Sequence, residues 1–215
     1  MLLMLVYISL GWGRSVLRSM KPQVTYRPRL MIEPWEVLSS RIELEDRWIK
    51  VRADNCRRSD GVIIEPYYVL EYPDWVCVLP ITSQGDVVLA KEYRHGIGSV
   101  VIGLPSGVVD KEDAVPEATA RRELLEETGY TSQRIVPLGS LYANCTNQPN
   151  MVHYFLALDA ELTGAPALDA TEQIEVELVP WEHVRSTSLL RQSHHIACVH
   201  LAEKYFTSSM TTFGV

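Results

Sequence analysis

Residues Trp75-Val76-Cys77-Val78-Leu79 are apolar without a break. So short a run, followed by the turn signal Ser83-Gln84-Gly85-Asp86, reads as a strand buried on both faces. Such a strand belongs inside a sheet with a layer packed on each side. Further strands are expected at Val87–Ala90, in a short stretch around Val100–Ile102, and near Val136–Ala143, His153–Leu158 and Ile174–Val179. The clearest helix runs from Pro116 to Thr128. Pro116 suits the first turn, where its missing N–H costs nothing, and Gly129 suits a left-handed C-terminal cap. A last helix is expected from about Ser188 to Phe206, with His194 and His195 facing solvent. Strands and helices mix without a regular βαβ rhythm, so the fold class is α+β, a mixed sheet with helices packed on it.

Ahead of that core, residues 20–40 carry three prolines and no clear period, and read as an extended arm. From Arg47 the texture is β. Trp48–Arg52 alternates, Ser59-Asp60-Gly61 is a turn, and Val62–Leu70 makes a second strand, giving a small antiparallel extension. Met1–Trp12 is nearly all apolar but too short to span a bilayer. Its positive charges, Arg14 and Arg18, follow the run instead of preceding it, unlike a secretory signal. Translation starting at Met20 or Met31 is the favoured reading, with residues 1–19 outside the folded protein. The expected organisation is therefore a leader and arm (1–34), a β-hairpin region (35–72), the main domain (73–208) and a tail (209–215).

Composition narrows the function. The formal net charge is −7, from 20 Lys+Arg against 27 Asp+Glu. That balance disfavours a nucleic-acid or anionic-membrane binder, which needs clustered bases. Cys56, Cys77, Cys145 and Cys198 are scattered, without a C-x-x-C pair, so neither a disulfide scaffold nor a cysteine zinc site is expected. Reduced cysteines in a cytoplasmic protein fit better, and the histidines show no metal spacing.

Chemistry concentrates on the first helix. Glu123, Glu126 and Glu127 stand at i, i+3 and i+4 and share a face, with Leu125 and Ala118 expected on the opposite, sheet-packed side. Three crowded carboxylates repel one another unless a cation neutralises them. Mg²⁺ or Mn²⁺, hard ions that take oxygen ligands, suit such a face.

The segment Gly107 followed by Arg122-Glu123-Leu124-Leu125-Glu126-Glu127-Thr128-Gly129-Tyr130 resembles the Nudix box. Glu92-Tyr93-Arg94 and Leu104-Pro105-Ser106-Gly107-Val108-Val109-Asp110 resemble the flanking segments of the ADP-ribose pyrophosphatase-like subgroup. The likeness extends from about Trp35 to Phe206. Gly107 to Arg122 is fifteen positions where the family has fourteen, so Asp113 or Glu112 stands in for the usual mid-box Glu.

The resemblance implies a Nudix fold, with its mixed sheet sandwiched between helices. It implies a metal-dependent hydrolase of ADP-ribose or a related nucleoside diphosphate sugar. Glu123, Glu126 and Glu127 would be metal ligands, joined by the Ser106 carbonyl and by Glu172. Glu127 and Glu172 would also be catalytic, with Arg122 holding the helix face. Relatives often carry a second acid where this chain has Ala170; Asp169 and Glu175 are the candidate substitutes. Arg94, Trp48, Tyr67 and Tyr68 are candidates for substrate binding, and Gly107, Asp113 and Gly129 for structural support of the motif. A homodimer in the cytoplasm is expected, with Mg²⁺ (Mn²⁺ substituting) as cofactor. Another substrate such as GDP-mannose, or a non-catalytic binding module, is the alternative.

Overall fold

A computed structural model describes residues 32–186 and 188–212. By its contacts the chain divides into Met1–Pro34 and Trp35–Val215, and every regular element among the described residues lies in the second unit. The expected leader, and the arm as far as Met31, lie outside the described residues. In chain order come β1 (Glu36–Glu45), β2 (Lys50–Arg57) and β3 (Ile63–Leu70), then β4 (Trp75–Thr82), β5 (Asp86–Arg94) and a 3₁₀ turn (His95–Ile97). These are followed by β6 (Ser99–Gly103), β7 (Ser106–Val108), α1 (Pro116–Thr128), β8 (Tyr130–Thr131), β9 (Arg134–Asn144) and β10 (Gln148–Leu162). Finally come β11 (Ile174–Pro180), α2 (Trp181–Ser186) and α3 (Ser193–Thr212). Among the described residues no helix is long and apolar enough to cross a membrane.

The apolar run anticipated at Trp75 is the spine. β4 runs parallel to β10 and antiparallel to β5 and β7, while β11 borders β5 on its far side. Successive side chains of β4 point to opposite faces. Val76 and Val78 pack with Ala120 and Leu124 of α1 and with Phe155 and Ala157 of β10. Cys77, Leu79 and Ile81 pack in the opposite cluster with Cys198, Val199 and Ala202 of α3. Val76, Cys77, Val78 and Leu79 are all fully buried. The expected mixed sheet between helices is what forms.

α1 keeps the bounds read from the sequence. Pro116 sits in its first turn, and Gly129 takes a left-handed conformation (φ 75°) with its N–H donating to the Leu125 carbonyl at 2.8 Å. Its phase differs from expectation. Leu124 is the residue buried on the sheet, and Leu125 is 40% exposed. The buried stripe runs through Ala120, Leu124, Glu127 and Thr128 at helical spacing. One of the carboxylates therefore lies on the sheet side rather than opposite it.

Three other expectations change. Residues 36–40, read as the end of the arm, belong to the strand Glu36–Glu45, which pairs antiparallel with β2 and makes a three-stranded sheet of the expected hairpin. The last helix begins at Ser193 and continues to Thr212, and a short separate helix, α2, precedes it. His195 is 2% exposed and not solvent-facing, because it shares the inward stripe of α3 with Cys198, Val199 and Ala202. His194 is half-buried.

The phase of α1 has a direct test in urea unfolding. Leu124→Ala should cost about 2–5 kcal/mol by leaving a cavity, while Leu125→Ala should stay within about 0.5 kcal/mol, as an exposed change does. Equal losses would mean that the sheet-facing stripe is misplaced.

Candidate active site

Three segments converge beside the C-terminal half of α1: the β6–β7 loop with β7, the end of β5, and the loop before β11. Glu127, on the buried stripe, is 5% exposed. The backbone N–H of Ser106 donates to its Oε2 at 3.2 Å. Burial, with Glu123 next and Glu92 and Glu172 adding, pushes its pKa up to about 9 against the opposing Ser106 bond. Glu123 is pushed up to about 7, chiefly by burial, with Arg122 opposing and Glu126 and Glu172 adding. Gly107 lies under the Glu123 carboxylate, which a Cβ there would overlap. That close approach is the physical reason for glycine at this position.

Arg122 binds the other side of the cluster. Its Nη1 donates to Glu123 Oε1 at 2.9 Å and Glu126 Oε2 at 3.0 Å, and its Nη2 to Asp110 Oδ2 at 3.0 Å and Asp113 Oδ2 at 3.3 Å. Partial burial works against its charge, but Glu126, Glu123 and Asp113 outweigh it and raise its pKa. Asp113 also accepts from Thr119 Oγ1 at 2.7 Å. That bond, first, and then Arg122 hold its carboxyl below the usual range against its desolvation. Glu112 is exposed. Asp113 thus ties the preceding loop to the helix.

The sequence had given Glu92 no role beyond its motif. It sits on β5 opposite Ile174, with its side chain 19% exposed and paired to Arg94. Burial raises its pKa, Arg94 opposes, and Glu172 adds to the rise. Glu172, exposed in the loop before β11, therefore lies within electrostatic reach of Glu92, Glu123 and Glu127. Its Oε2 accepts from the Asp169 N–H at 3.1 Å. Glu175 is instead paired with Lys91 at 3.0 Å. Among the described residues no three acidic, histidine or cysteine side chains already close around one point. The donor set still fits a divalent cation. It is all carboxylate oxygen, mutually repelling, and balanced by one arginine on one side.

A cavity of about 210 Å³ adjoins this cluster, lined by Trp75, Arg94, Ser106, Gly107, Gln192 and His194. A larger one, about 530 Å³, continues past Arg94 and Gln192 and brings in His95 and Arg191. Trp75 packs between Tyr72 and His194, each ring centroid 5.9 Å away. Trp75, Gln192 and His194 were not among the expected site residues; they reach the cavity from strand and helix ends distant in sequence. Arg94 lines both cavities. Trp48 is in the turn between β1 and β2, Tyr67 and Tyr68 are on β3, and none of them lines these cavities. Trp48 is 70% exposed beneath the Arg47 guanidinium, 4.4 Å from the ring. Tyr67 donates its hydroxyl to the Thr146 carbonyl and meets Trp35 edge-on, and Tyr68 is half-exposed.

Comparison with known proteins bears on this arrangement. A family model described as Nucleoside diphosphate sugar hydrolase N-terminal domain matches residues 35–70. An ADP-ribose pyrophosphatase of Bacillus subtilis (strain 168) is 33% identical over 115 residues, covering 53% of this chain and 62% of that protein. The match thus spans under two thirds of that relative's length. A GDP-mannose pyrophosphatase of Salmonella typhimurium is 24% identical over 158 residues, 69% of this chain and 82% of that one. A solved structure described as an ADP compounds hydrolase has a TM-score of 0.73 at 18% identity, covering 83% of this chain and 97% of its own. That likeness shows the fold alone. A family model described as NUDIX domain matches residues 71–197, more than half of the sequence and the whole of the carboxylate site, and the chain belongs to the NUDIX domain family.

Proposed function

We propose that this protein hydrolyses the pyrophosphate of ADP-ribose, or of a closely related nucleoside diphosphate sugar, to a nucleoside monophosphate and a sugar phosphate. The observation that carries the reading is the pair Glu123 and Glu127, largely shielded from water, with Glu92 and Glu172 nearby, set against the Ser106–Gly107 segment that lines a cavity with Arg94. The named activities of the relatives support a pyrophosphatase. GDP-mannose is the second substrate to consider, because two of the relatives are GDP-mannose pyrophosphatases. A non-catalytic module would have no use for acids set this close together and shielded from water.

Glu123, Glu126 and Glu127 would hold Mg²⁺, with Mn²⁺ as substitute, and the Ser106 carbonyl and Glu172 would complete the set. When bound, the cation supplies positive charge to the phosphate oxygens and acidity to a water. Glu127 is kept in one orientation by the Ser106 N–H, and Arg122 keeps Glu123 and Glu126 side by side. Arg94 contacts the diphosphate or the terminal ribose. Glu172, on an exposed loop, takes the proton of the attacking water as its oxygen bonds to phosphorus. The bond from that phosphorus to the bridging oxygen breaks, and the second product leaves with that oxygen.

The three-stranded sheet exposes Trp35, Val37, Leu38, Ile42 and Leu44, each 43–56% accessible. So many exposed apolar side chains on one small sheet suit a covered surface. A second copy of the chain covers them in this reading, bringing Trp48, Tyr67 and Tyr68 to the partner's base. The cytoplasm, where the free cysteines would stay reduced, is the compartment proposed.

Hydrolysis of ADP-ribose with Mg²⁺ should stop on adding EDTA and return with excess Mg²⁺. Glu127→Gln should lower kcat by about 10²-fold or more with the fold intact by circular dichroism; undiminished turnover would remove the cation-site assignment. Glu172→Gln should act mainly on kcat. A pure rise in KM would take the base role from Glu172.

A further inference from the structure

We infer that His195 is a positioning residue of this site: from its seat on α3 it fixes the Leu104–Gly107 segment against which Glu127 is oriented. The inference rests on the reading of the carboxylate cluster as the cation site of the reaction. Its structural basis is separate from that cluster.

α3 is firmly docked, since Cys198, Val199 and Ala202 bury into the sheet core. His195 shares that stripe and is 2% exposed. Its ring lies on Gly103, where a Cβ would come within 2.5 Å of Cε1. The Leu104 N–H donates to Nδ1 at 3.2 Å. With Nδ1 accepting, the single ring proton sits on Nε2, which faces Ser106 Oγ at 3.5 Å. The next link is the Ser106 backbone N–H on Glu127 Oε2 at 3.2 Å.

His195 itself does not line the cavity, although its neighbour His194 does. It therefore acts on the reaction only through Ser106 and Glu127. An apolar residue would fill the same space without the cost of burying two ring nitrogens. Both polar contacts of this imidazole fall on one short segment, the one that ends at the glycine beneath Glu123. That is the arrangement of a partner that orients a ligand from behind.

Two substitutions separate the contacts. His195→Asn keeps a polar group near the Nδ1 position, toward Leu104; His195→Gln keeps one near Nε2, toward Ser106. Each is measured for kcat and KM on ADP-ribose with Mg²⁺, for Mn²⁺ affinity by titration calorimetry, and for melting temperature. We expect His195→Asn to lose about 10- to 100-fold in kcat and to weaken Mn²⁺ binding, with KM close to the parent's. His195→Gln should recover most of both. Equal behaviour of the two variants would overturn the inference, whether both match the parent or both fall in step with melting temperature. So would a loss confined to KM. A parent inactive on every nucleoside diphosphate sugar would instead refute the proposed function, and the Mn²⁺ affinities would still decide the role of His195. Should His195→Asn fail to fold, Ser106→Ala decides: it removes the hydroxyl alone and should lower kcat and Mn²⁺ affinity, whereas parental values for both would overturn the inference.

Discussion

Glu127 is a carboxylate set on the sheet-facing side of a helix, accepting from the Ser106 backbone N–H and with other acids around it. In water a carboxylate is charged at neutral pH; in this place burial and neighbouring charge oppose ionisation strongly. Removing the burden by substituting an apolar residue would be the cheap solution for stability, since buried charge is weak evidence of stabilisation. The chain does the reverse. It adds Glu123, Glu92 and Glu172 nearby and supplies only Arg94, paired with Glu92, and Arg122, which is already shared among four acids. The arrangement makes sense as a site built for an added cation.

The rest of the fold holds that arrangement in place. α1 is fixed against one face of β4 by Ala120 and Leu124, so its carboxylates cannot swing away from the sheet. The β6–β7 loop is pinned to β4: the Val78 N–H donates to the Pro105 carbonyl at 2.9 Å, and Cys77 lies opposite Ser106. The loop before β11 is tied to the end of the same helix, because the Ala167 N–H donates to the Glu126 carbonyl at 2.8 Å. At Gly129 a Cβ would overlap the Gly164 carbonyl, so the residue that caps α1 also admits the loop carrying Glu172. One tight helix end thus serves both capping and site assembly.

Much of this was legible in the sequence where local chemistry decides the outcome. Pro116 and Gly129 bracket α1 because first-turn proline and left-handed glycine are local signals. The box acids are legible as a spacing. The helix phase was not: Leu124 and Leu125 are adjacent leucines, and only the sheet chooses between them. β1 was missed because the alternation of Ile42 and Leu44 with charged neighbours is short and Val37–Arg41 breaks it; its pairing with β2 makes it a strand. His195 was read as exposed because two histidines in a row look polar, although its spacing to Cys198 and Ala202 carries an inward stripe. Glu92 and Trp75 join the site through sheet register, which no local pattern encodes.

The central claim is that the carboxylates beside Gly107 form a divalent-cation site. The most direct test is an anomalous difference map from crystals soaked in Mn²⁺. The account predicts a peak within about 2.0–2.4 Å of carboxylate oxygens of Glu123 and Glu127, the range of hard-cation ligation by oxygen. A map without density there, or with its strongest peak elsewhere on the chain, would contradict it.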